Sequence, residues 1–286
     1  MDGFSLVDAG AAGAVRARPG RGARSGAAAD HDDARDRCAG CAGGVAPPFP
    51  FSMAFQPIVD VAACEGSGRV HAYEALVRGP GGEGAGTVLA QVTEANRYAF
   101  DQSCRVRAIE LAAALGVARR GARLSINFIP GAMYNPETCV RATLAAARRH
   151  AFPFDRLQFE VAESEEVGDP AHLEAIFATY RRRGFTVALD DFGAGYAGLG
   201  LLARFQPDVL KLDMGLVRGL DGDRVRRTIV AAVLSVCREL AIVPVAEGVE
   251  TRAEMEALRA MGVSLMQGYL FAPPAFEALP EVAGVA

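Results

Sequence analysis

The stretch Phe185-Thr186-Val187-Ala188-Leu189-Asp190-Asp191-Phe192-Gly193-Ala194-Gly195-Tyr196 decides the interpretation of this chain. Its first five residues are mostly apolar and partly β-branched, which is typical of a buried parallel strand. The strand runs directly into Asp190 and Asp191 and then into a glycine-rich loop. Adjacent carboxylates repel each other unless a positive charge neutralises them, and ligands that are all oxygen favour Mg²⁺ or Mn²⁺ over zinc. The alternative is that both Asp residues cap the next helix and stay solvated, and this stretch alone leaves both interpretations open.

The composition limits the classes of protein and partner. With 286 residues, the chain can form one large domain or two small ones. Its net charge of −4 argues against a nucleic-acid polymer as partner. We find no apolar run long enough to span a membrane and no signal peptide at the N-terminus. Four of the six cysteines are scattered through predicted strands, loops and helices, as expected for reduced thiols, so the sequence predicts a cytoplasmic protein.

Lys211 is the one lysine among the 30 basic residues of the chain, and the others are all arginine. Arginine is planar and permanently charged, whereas lysine is a compact charge whose pKa can be tuned. A chain that uses arginine everywhere else and keeps lysine at one position indicates a chemical role for that position. Retention by chance is the alternative.

Residues 1–48 are rich in Ala, Gly, Arg and Asp and contain few large apolar side chains. This composition predicts a tail that is disordered or ordered only by contact with a partner. The tail contains a CxxC pair, Cys38 and Cys41, with His31, Asp32 and Asp33 nearby. Half of a zinc site or a redox pair would have this spacing. No second CxxC completes a zinc site, so the pair does not by itself predict a functional metal.

Strand and helix patterns alternate over residues 49–286, the predicted folded domain. Pro57 indicates that the first strand, Phe51–Val59, is an edge or irregular strand, and a second strand follows it directly. Gly79–Gly86 lacks the ending of a phosphate-binding P-loop and is predicted to be a flexible connector. The later strands are predicted at Val70–Val77, Arg123–Phe128, Arg156–Val161, Phe185–Leu189, Asp208–Leu212, Ile242–Ala246 and Ser264–Met266. The helices are predicted at Tyr98–Leu115, Pro136–His150, Pro170–Arg183, Arg224–Leu240 and Thr251–Met261. This repeat predicts an α/β fold, a (β/α)₈ TIM-like barrel with an irregular first strand.

Polar side chains lie at or near the end of every predicted strand after the first. They are Glu74, Asn127, Glu160, Asp190 with Asp191, Lys211, Glu247 and Gln267. The carboxyl ends of barrel strands converge on one face, and that face hosts the chemistry of barrel enzymes. A single residue of this kind could be a helix cap, but the same pattern on seven strands predicts one shared site.

The residue types of this set favour metal-assisted hydrolysis of a phosphate ester. Carboxylates and an Asn amide form an oxygen cage for one or two divalent ions. Two such ions can activate water and stabilise the leaving oxygen of a phosphodiester, while a lone Lys can orient or deprotonate that water. No histidine falls at any of these strand ends, and no Ser–His or Cys–His pair is evident. This argues against a covalent acyl mechanism.

Several motifs resemble those of the EAL-domain cyclic di-GMP phosphodiesterases over about residues 51–280. Glu74-Ala75-Leu76 with Arg78 is similar to the signature of that family. The other matching segments are Phe55-Gln56-Pro57-Ile58-Val59, Ile126-Asn127, Phe159-Glu160-Val161-Ala162-Glu163, Asp190-Asp191-Phe192-Gly193-Ala194-Gly195-Tyr196, Lys211-Leu212-Asp213, Ala246-Glu247-Gly248-Val249-Glu250-Thr251 and Gln267-Gly268-Tyr269. So many motifs in the expected order make the resemblance specific.

The resemblance implies a role for each matching residue. The metal ligands that it implies for two Mg²⁺ or Mn²⁺ ions are Glu74, Asn127, Glu160, Asp190, Asp191 and Glu247, with Asp190 shared between the ions. The catalytic set that it implies is Lys211, Glu247, Glu163 and Gln267, in which Lys211 positions or deprotonates the attacking water and Glu163 holds the loop after Asp191. The substrate-binding set that it implies is Gln56, Leu76, Arg78 and Asp213, with Arg78 on a phosphate of cyclic di-GMP. The product would be linear pGpG, and the protein would be a homodimer whose contacts reach the site through the loop after Asp191.

The sequence also departs from the family pattern. Ala162 stands where the family usually has Thr, and Ala197 and Gly198 stand where it usually has two Ser residues. These changes delete hydroxyls that could hydrogen-bond the loop, each worth about 1 kcal/mol. Two alternatives stay open for single residues: Arg78 could form a surface salt bridge, and Glu163 could be a plain surface acid. For the whole chain, the alternative to an enzyme is a catalytically silent EAL module that binds cyclic di-GMP or a protein partner.

Overall fold

Eight strands close into a barrel in the computed structural model, which describes residues 47–62, 69–132, 135–163, 170–195 and 198–282. They are β1 Ser52–Asp60, β2 Arg69–Arg78, β3 Arg123–Asn127, β4 Leu157–Ala162, β5 Thr186–Phe192, β6 Val209–Leu212, β7 Val243–Ala246 and β8 Leu265–Met266. Neighbouring strands from β2 to β8 pair in parallel, and β1 closes the barrel by pairing with both β2 and β8. The predicted TIM-like barrel is therefore confirmed. The predicted tail and its CxxC pair lie outside the described residues, apart from residues 47 and 48.

The first strand is irregular, as predicted, but it is not an edge strand. It runs antiparallel to both neighbours, its register shifts between Ile58 and Val59, and Pro57 lies opposite Tyr73. A ninth strand, β9 Ala275–Phe276, also pairs with it. The link from β1 to β2 is too short for the crossover that a parallel pair needs, so the two strands form an antiparallel hairpin.

Eight α-helices surround the barrel in the described part of the chain. They are α1 Ala85–Leu89, α2 Arg97–Leu115, α3 Pro136–Arg149, α4 Pro170–Arg182, α5 Gly198–Arg204, α6 Met214–Val217, α7 Arg224–Glu239 and α8 Arg252–Ala260. The predicted connector was wrong at its end, because its last two residues begin α1. Five residues are too few to show a helical period in the sequence. The Thr251 hydroxyl and the Glu254 carboxylate form a capping box at the start of α8.

The layer between the barrel and its helices is the main hydrophobic core. Around Phe128, the rings of Phe159, Phe177 and Tyr180 lie with centroids 5.5–6.5 Å away. This arrangement fixes the segment directly after β3 against α4. Among the described residues, no helix is both long and apolar enough to cross a membrane.

Candidate metal centre and active site

A small apolar layer inside the barrel shows which side chains face its axis. The layer is a cluster of six buried residues, separate from the main core and contributed by six different strands: Ile58, Ala72, Ala188, Val209, Val245 and Leu265. Side chains two residues apart on a strand point to the same face. Each of these residues lies two positions from a predicted site residue, in the same order: Gln56, Glu74, Asp190, Lys211, Glu247 and Gln267. The strand alternation therefore turns the site residues toward the axis of the barrel.

Lys211 lies at the centre of the site and is fully buried. Its Nζ is 2.7 Å from Glu247 Oε1, 2.8 Å from Glu160 Oε2 and 2.9 Å from Asp190 Oδ1. The Oε2 atom of Glu74 is 3.3 Å away. Four carboxylates from four strands thus converge on one ammonium group at the carboxyl ends of the strands.

The carboxylates form two groups that share Asp190. In each group, one oxygen per residue lies within 4.8 Å of the others: Glu74, Glu160 and Asp190 form the first group, and Asp190, Asp191 and Glu247 form the second. Five carboxylates against Lys211 leave a formal charge of −4, which two divalent cations would neutralise. Because every donor is a carboxylate oxygen, the set fits hard cations such as Mg²⁺ or Mn²⁺.

Burial and mutual repulsion shift the pKa values in this site. Burial raises the pKa of Glu160 to about 7, aided by Glu74 and Asp190 and opposed by Lys211. Burial and the neighbouring Asp190 raise the pKa of Asp191 to about 6 and that of Glu247 well above its ordinary value. For Lys211, burial lowers the pKa, but the surrounding carboxylates outweigh it and raise the pKa well above the ordinary value. The side chain of Lys211 is therefore a protonated hydrogen-bond donor.

Two amide side chains, those of Asn127 and Gln267, donate hydrogen bonds to the Glu74 carboxylate. Asn127 donates from Nδ2 to Glu74 Oε1 at 2.9 Å. Gln267 donates from Nε2 to Glu74 Oε2 at 2.8 Å and to Gln56 Oε1 at 3.1 Å. Among the described residues, no group hydrogen-bonds the buried Oε1 atom of Gln267, so it is an acceptor available to a ligand or to water. A Cβ atom on Gly268 would lie 2.0 Å from the Val249 carbonyl oxygen, so this close approach beside Gln267 requires glycine.

A groove of about 490 Å³ opens above the carboxylates. Three residues of the predicted substrate-binding set line it, namely Gln56, Leu76 and Arg78. Arg78 donates to the Val77 carbonyl oxygen at 2.7 Å and, among the described residues, has no carboxylate partner, which disfavours the surface salt bridge. Asp213 is not part of this lining. Its carboxylate accepts from the Gly215 amide at 2.8 Å and caps α6.

Residues 50–274 match the family described as the EAL domain. The chain belongs to the EAL domain family. Among solved structures, it is 50% identical to a standalone EAL protein of Vibrio cholerae bound to c-di-GMP, with a TM-score of 0.78, covering 83% of this chain and 98% of that one. It is 35% identical to Klebsiella pneumoniae BlrP1 in a manganese/cy-diGMP complex, with a TM-score of 0.76, covering 83% of this chain and 59% of BlrP1.

Two curated relatives from Escherichia coli have names that differ in function. The chain is 30% identical to the blue light- and temperature-regulated antirepressor BluF, over 88% of this chain and 60% of BluF. It is 29% identical to the probable cyclic di-GMP phosphodiesterase PdeN, over 78% of this chain and 43% of PdeN. The chain thus spans less than two thirds of either relative.

Glu163 connects the loop after Asp191 of this EAL domain to β4. Its Oε2 accepts from the amides of Gly193 at 2.8 Å and Gly195 at 3.4 Å, and its Oε1 accepts from the Gly198 amide at 2.7 Å. Asp191 itself has a φ of 54°, a left-handed conformation that is uncommon outside glycine and typical of functional sites. Because Glu163 is buried at the base of this loop, it is not a plain surface acid.

Replacing Glu163 by Gln should loosen this loop without removing a proposed metal ligand. An amide nitrogen would face one of the glycine N–H groups, so at least one bond is lost and one buried donor is left unsatisfied. We expect a loss of about 1–3 kcal/mol in unfolding free energy. For the phosphodiester hydrolysis that the family resemblance implies, we expect about a tenfold or greater fall in kcat. Chemical denaturation and initial rates measure these effects. Glu174→Gln, an exposed change on α4, is the control, and equal rates for both variants would contradict a role for Glu163 in the loop.

Sequence reasoning missed two side chains that bond directly to the predicted set. Ser125 donates its hydroxyl to Glu160 Oε1, and Gln158 donates from Nε2 to the same oxygen at 2.9 Å. Both precede a predicted site residue by two positions, so strand alternation could have flagged them as polar residues facing the barrel interior.

Proposed function

We propose that this EAL domain is a divalent-metal-dependent phosphodiesterase that hydrolyses cyclic di-GMP to linear pGpG. The observation that carries the proposal is the pair of carboxylate groups that share Asp190 around Lys211, at the base of an open groove. Support comes from relatives named as cyclic di-GMP phosphodiesterases and from similar structures of complexes with the dinucleotide, one of which contains manganese.

The proposed ligands divide between the two carboxylate groups. Glu74, Asn127, Glu160 and Asp190 would hold one ion, and Asp190, Asp191 and Glu247 would hold the other. When bound, Mg²⁺ or Mn²⁺ supplies positive charge that stabilises the phosphoryl oxygens and lowers the pKa of water.

Lys211 and Gln267 are the groups that we assign to the attacking water. Lys211 can orient this water as a donor, or deprotonate it once bound ions neutralise the carboxylates around its ammonium group. The Oε1 of Gln267, which has no partner in the part of the chain that the structure describes, can accept a hydrogen bond from the same water. Together they would fix the direction of attack on the phosphorus, the kind of positioning that lowers a barrier before any bond changes.

The groove residues would hold the substrate over this centre. Arg78 has a guanidinium without a carboxylate partner in the described residues, so it is suited to a phosphate oxygen. Gln56 and Leu76 would contact the dinucleotide beside it. We assign Asp213 a supporting role, since its charge acts on Asp191 while its oxygen caps α6.

The proposal is tested by incubating the purified chain with cyclic di-GMP and Mg²⁺ or Mn²⁺ and resolving the products by chromatography. We expect linear pGpG, no product after chelation, and no product from Glu74→Ala. An exposed change, Glu256→Ala on α8, should leave the rate unchanged. Binding of the dinucleotide without cleavage under every metal condition would contradict the enzyme.

Similarity to an antirepressor favours one second candidate, a binding module that acts through a protein partner. On that account, cyclic di-GMP would bind the groove and persist unchanged. The product assay separates the two, because only the enzyme consumes the dinucleotide. The homodimer implied by the family resemblance also remains a prediction, which sedimentation of the purified chain would test.

A further inference from the structure

The layer of side chains beside the carboxylates contains two exceptions to its apolar character. On six strands, the residue two positions from the site residue is apolar. On β3 and β4, the corresponding residues are Ser125, two before Asn127, and Gln158, two before Glu160. Both are buried, with exposures of 0% and 2%, and they lie directly opposite each other in the β3–β4 register.

The hydrogen bonds of these two residues converge on one oxygen of Glu160. Gln158 Nε2 donates to Ser125 Oγ at 2.9 Å and to Glu160 Oε1 at 2.9 Å, and the Ser125 hydroxyl donates to the same Oε1. The other oxygen, Oε2, is 2.8 Å from Lys211 Nζ. The two oxygens of Glu160 thus have separate partners, which fixes both the rotamer and the plane of the carboxylate.

Ser125 and Gln158 lose their hydration on burial, and their hydrogen bonds to each other and to Glu160 offset that cost. Apolar side chains fill the equivalent positions on the other six strands, and an apolar pair here would avoid the desolvation of a hydroxyl and an amide. A purely structural role would not require both polar groups to meet at one oxygen of a charged residue. Residues that hydrogen-bond a metal-binding carboxylate without contacting the ion characteristically show this arrangement.

We propose that Ser125 and Gln158 are positioning residues that lock Glu160 in the orientation needed to bind a divalent cation. The inference rests on the proposed function, because it takes Glu160 to be a ligand. It adds that the affinity of this site for the metal depends on two residues that contact neither the ion nor the substrate.

The test compares metal affinity with stability in the purified full chain. Mn²⁺ binding is measured by titration calorimetry or by the electron paramagnetic resonance signal of free Mn²⁺, and Tm is measured in parallel. For the double variant S125A/Q158L, we expect Mn²⁺ affinity to fall about 10–100-fold, and Tm to fall because the buried Glu160 Oε1 loses both donors. Ile58→Val, a change in the same layer, should lower Tm but leave the affinity unchanged, so a loss of stability alone does not explain a weaker Mn²⁺ affinity.

The outcomes distinguish a failure of the positioning role from a failure of the proposed metal site. If the double variant binds Mn²⁺ as tightly as the wild type while Glu160→Ala binds it weakly, the positioning role is wrong and the proposed metal site stands. If Glu160→Ala also binds Mn²⁺ normally, Glu160 is not a ligand, and both the site assignment and the inference fail. Should the double variant not fold, Gln158→Leu alone decides, because an unchanged affinity in that variant would overturn the inference.

Discussion

Lys211→Ala should lose both stability and hydrolytic activity, and added metal should restore the stability but not the activity. Within the described ranges, Lys211 is the one basic side chain in contact with the carboxylates of the site, and the substitution leaves their negative charge uncompensated. Loss of one partner from a buried ion pair costs about 3–5 kcal/mol, and Lys211 is completely buried. Divalent cations should restore much of the lost unfolding free energy, because they replace the missing positive charge. They should not restore hydrolysis, since the donor to the attacking water is gone, and we expect a fall in kcat of about 10³-fold.

Denaturant unfolding with and without Mn²⁺ measures the first effect, and product chromatography measures the second. Arg252→Ala, an exposed basic residue on α8, controls for the simple loss of a positive charge. If the variant keeps the wild-type rate, Lys211 has no part in the chemistry. If Mn²⁺ stabilises it less than the wild type, charge replacement is the wrong explanation.

Asp190→Asn should abolish both proposed metal sites, because Asp190 belongs to both carboxylate groups. Changes in residues that only hydrogen-bond a metal ligand weaken metal binding up to roughly 100-fold. Because Asp190 is itself a proposed ligand, we expect a larger fall in Mn²⁺ affinity and hydrolysis at background level. The metal-free variant should be at least as stable as the wild type, since one of five mutually repelling carboxylates becomes neutral. Calorimetric titration with Mn²⁺ and thermal unfolding measure the two quantities.

The neighbouring substitution Asp191→Asn provides a matched comparison. Asp191 belongs to the second group alone, so this variant should retain one Mn²⁺ per chain where the wild type binds two. Asp221→Asn, exposed before α7, should bind like the wild type. If Asp190→Asn and Asp191→Asn lose the same number of ions, the two groups are not separate sites that share one ligand.

The barrel and the polar side chains at the carboxyl ends of its strands were predictable because both follow from local patterns. Each β-strand shows its buried face in the sequence, and the polar residue at its carboxyl end is adjacent in the chain, as with Leu189 and Asp190. The (β/α)₈ repeat then specifies that these ends meet on one face. The sequence indicated a chemical role for Lys211, because it is the one lysine of the chain. Which carboxylates it contacts could be seen only in the structure.

The contacts that sequence reasoning missed are long-range. Ser125 and Gln158 are 33 positions apart, and only the β3–β4 register shows that they meet beside Glu160. The buried Asp101 on α2 likewise has a distant partner, because the Ile129 amide donates to its Oδ1 at 3.0 Å. The second pairing of β1, with β8, likewise connects distant segments that no local pattern relates.

The proposed function requires two divalent ions between the carboxylates around Lys211 and a bound cyclic dinucleotide. Anomalous diffraction at the manganese edge, from crystals of the chain grown with Mn²⁺ and cyclic di-GMP, would locate these ions. We expect two anomalous peaks per chain on either side of Asp190, one beside Glu74 and Glu160 and one beside Asp191 and Glu247, with a phosphodiester next to both. Dinucleotide density in the groove without a manganese peak among these carboxylates would contradict it.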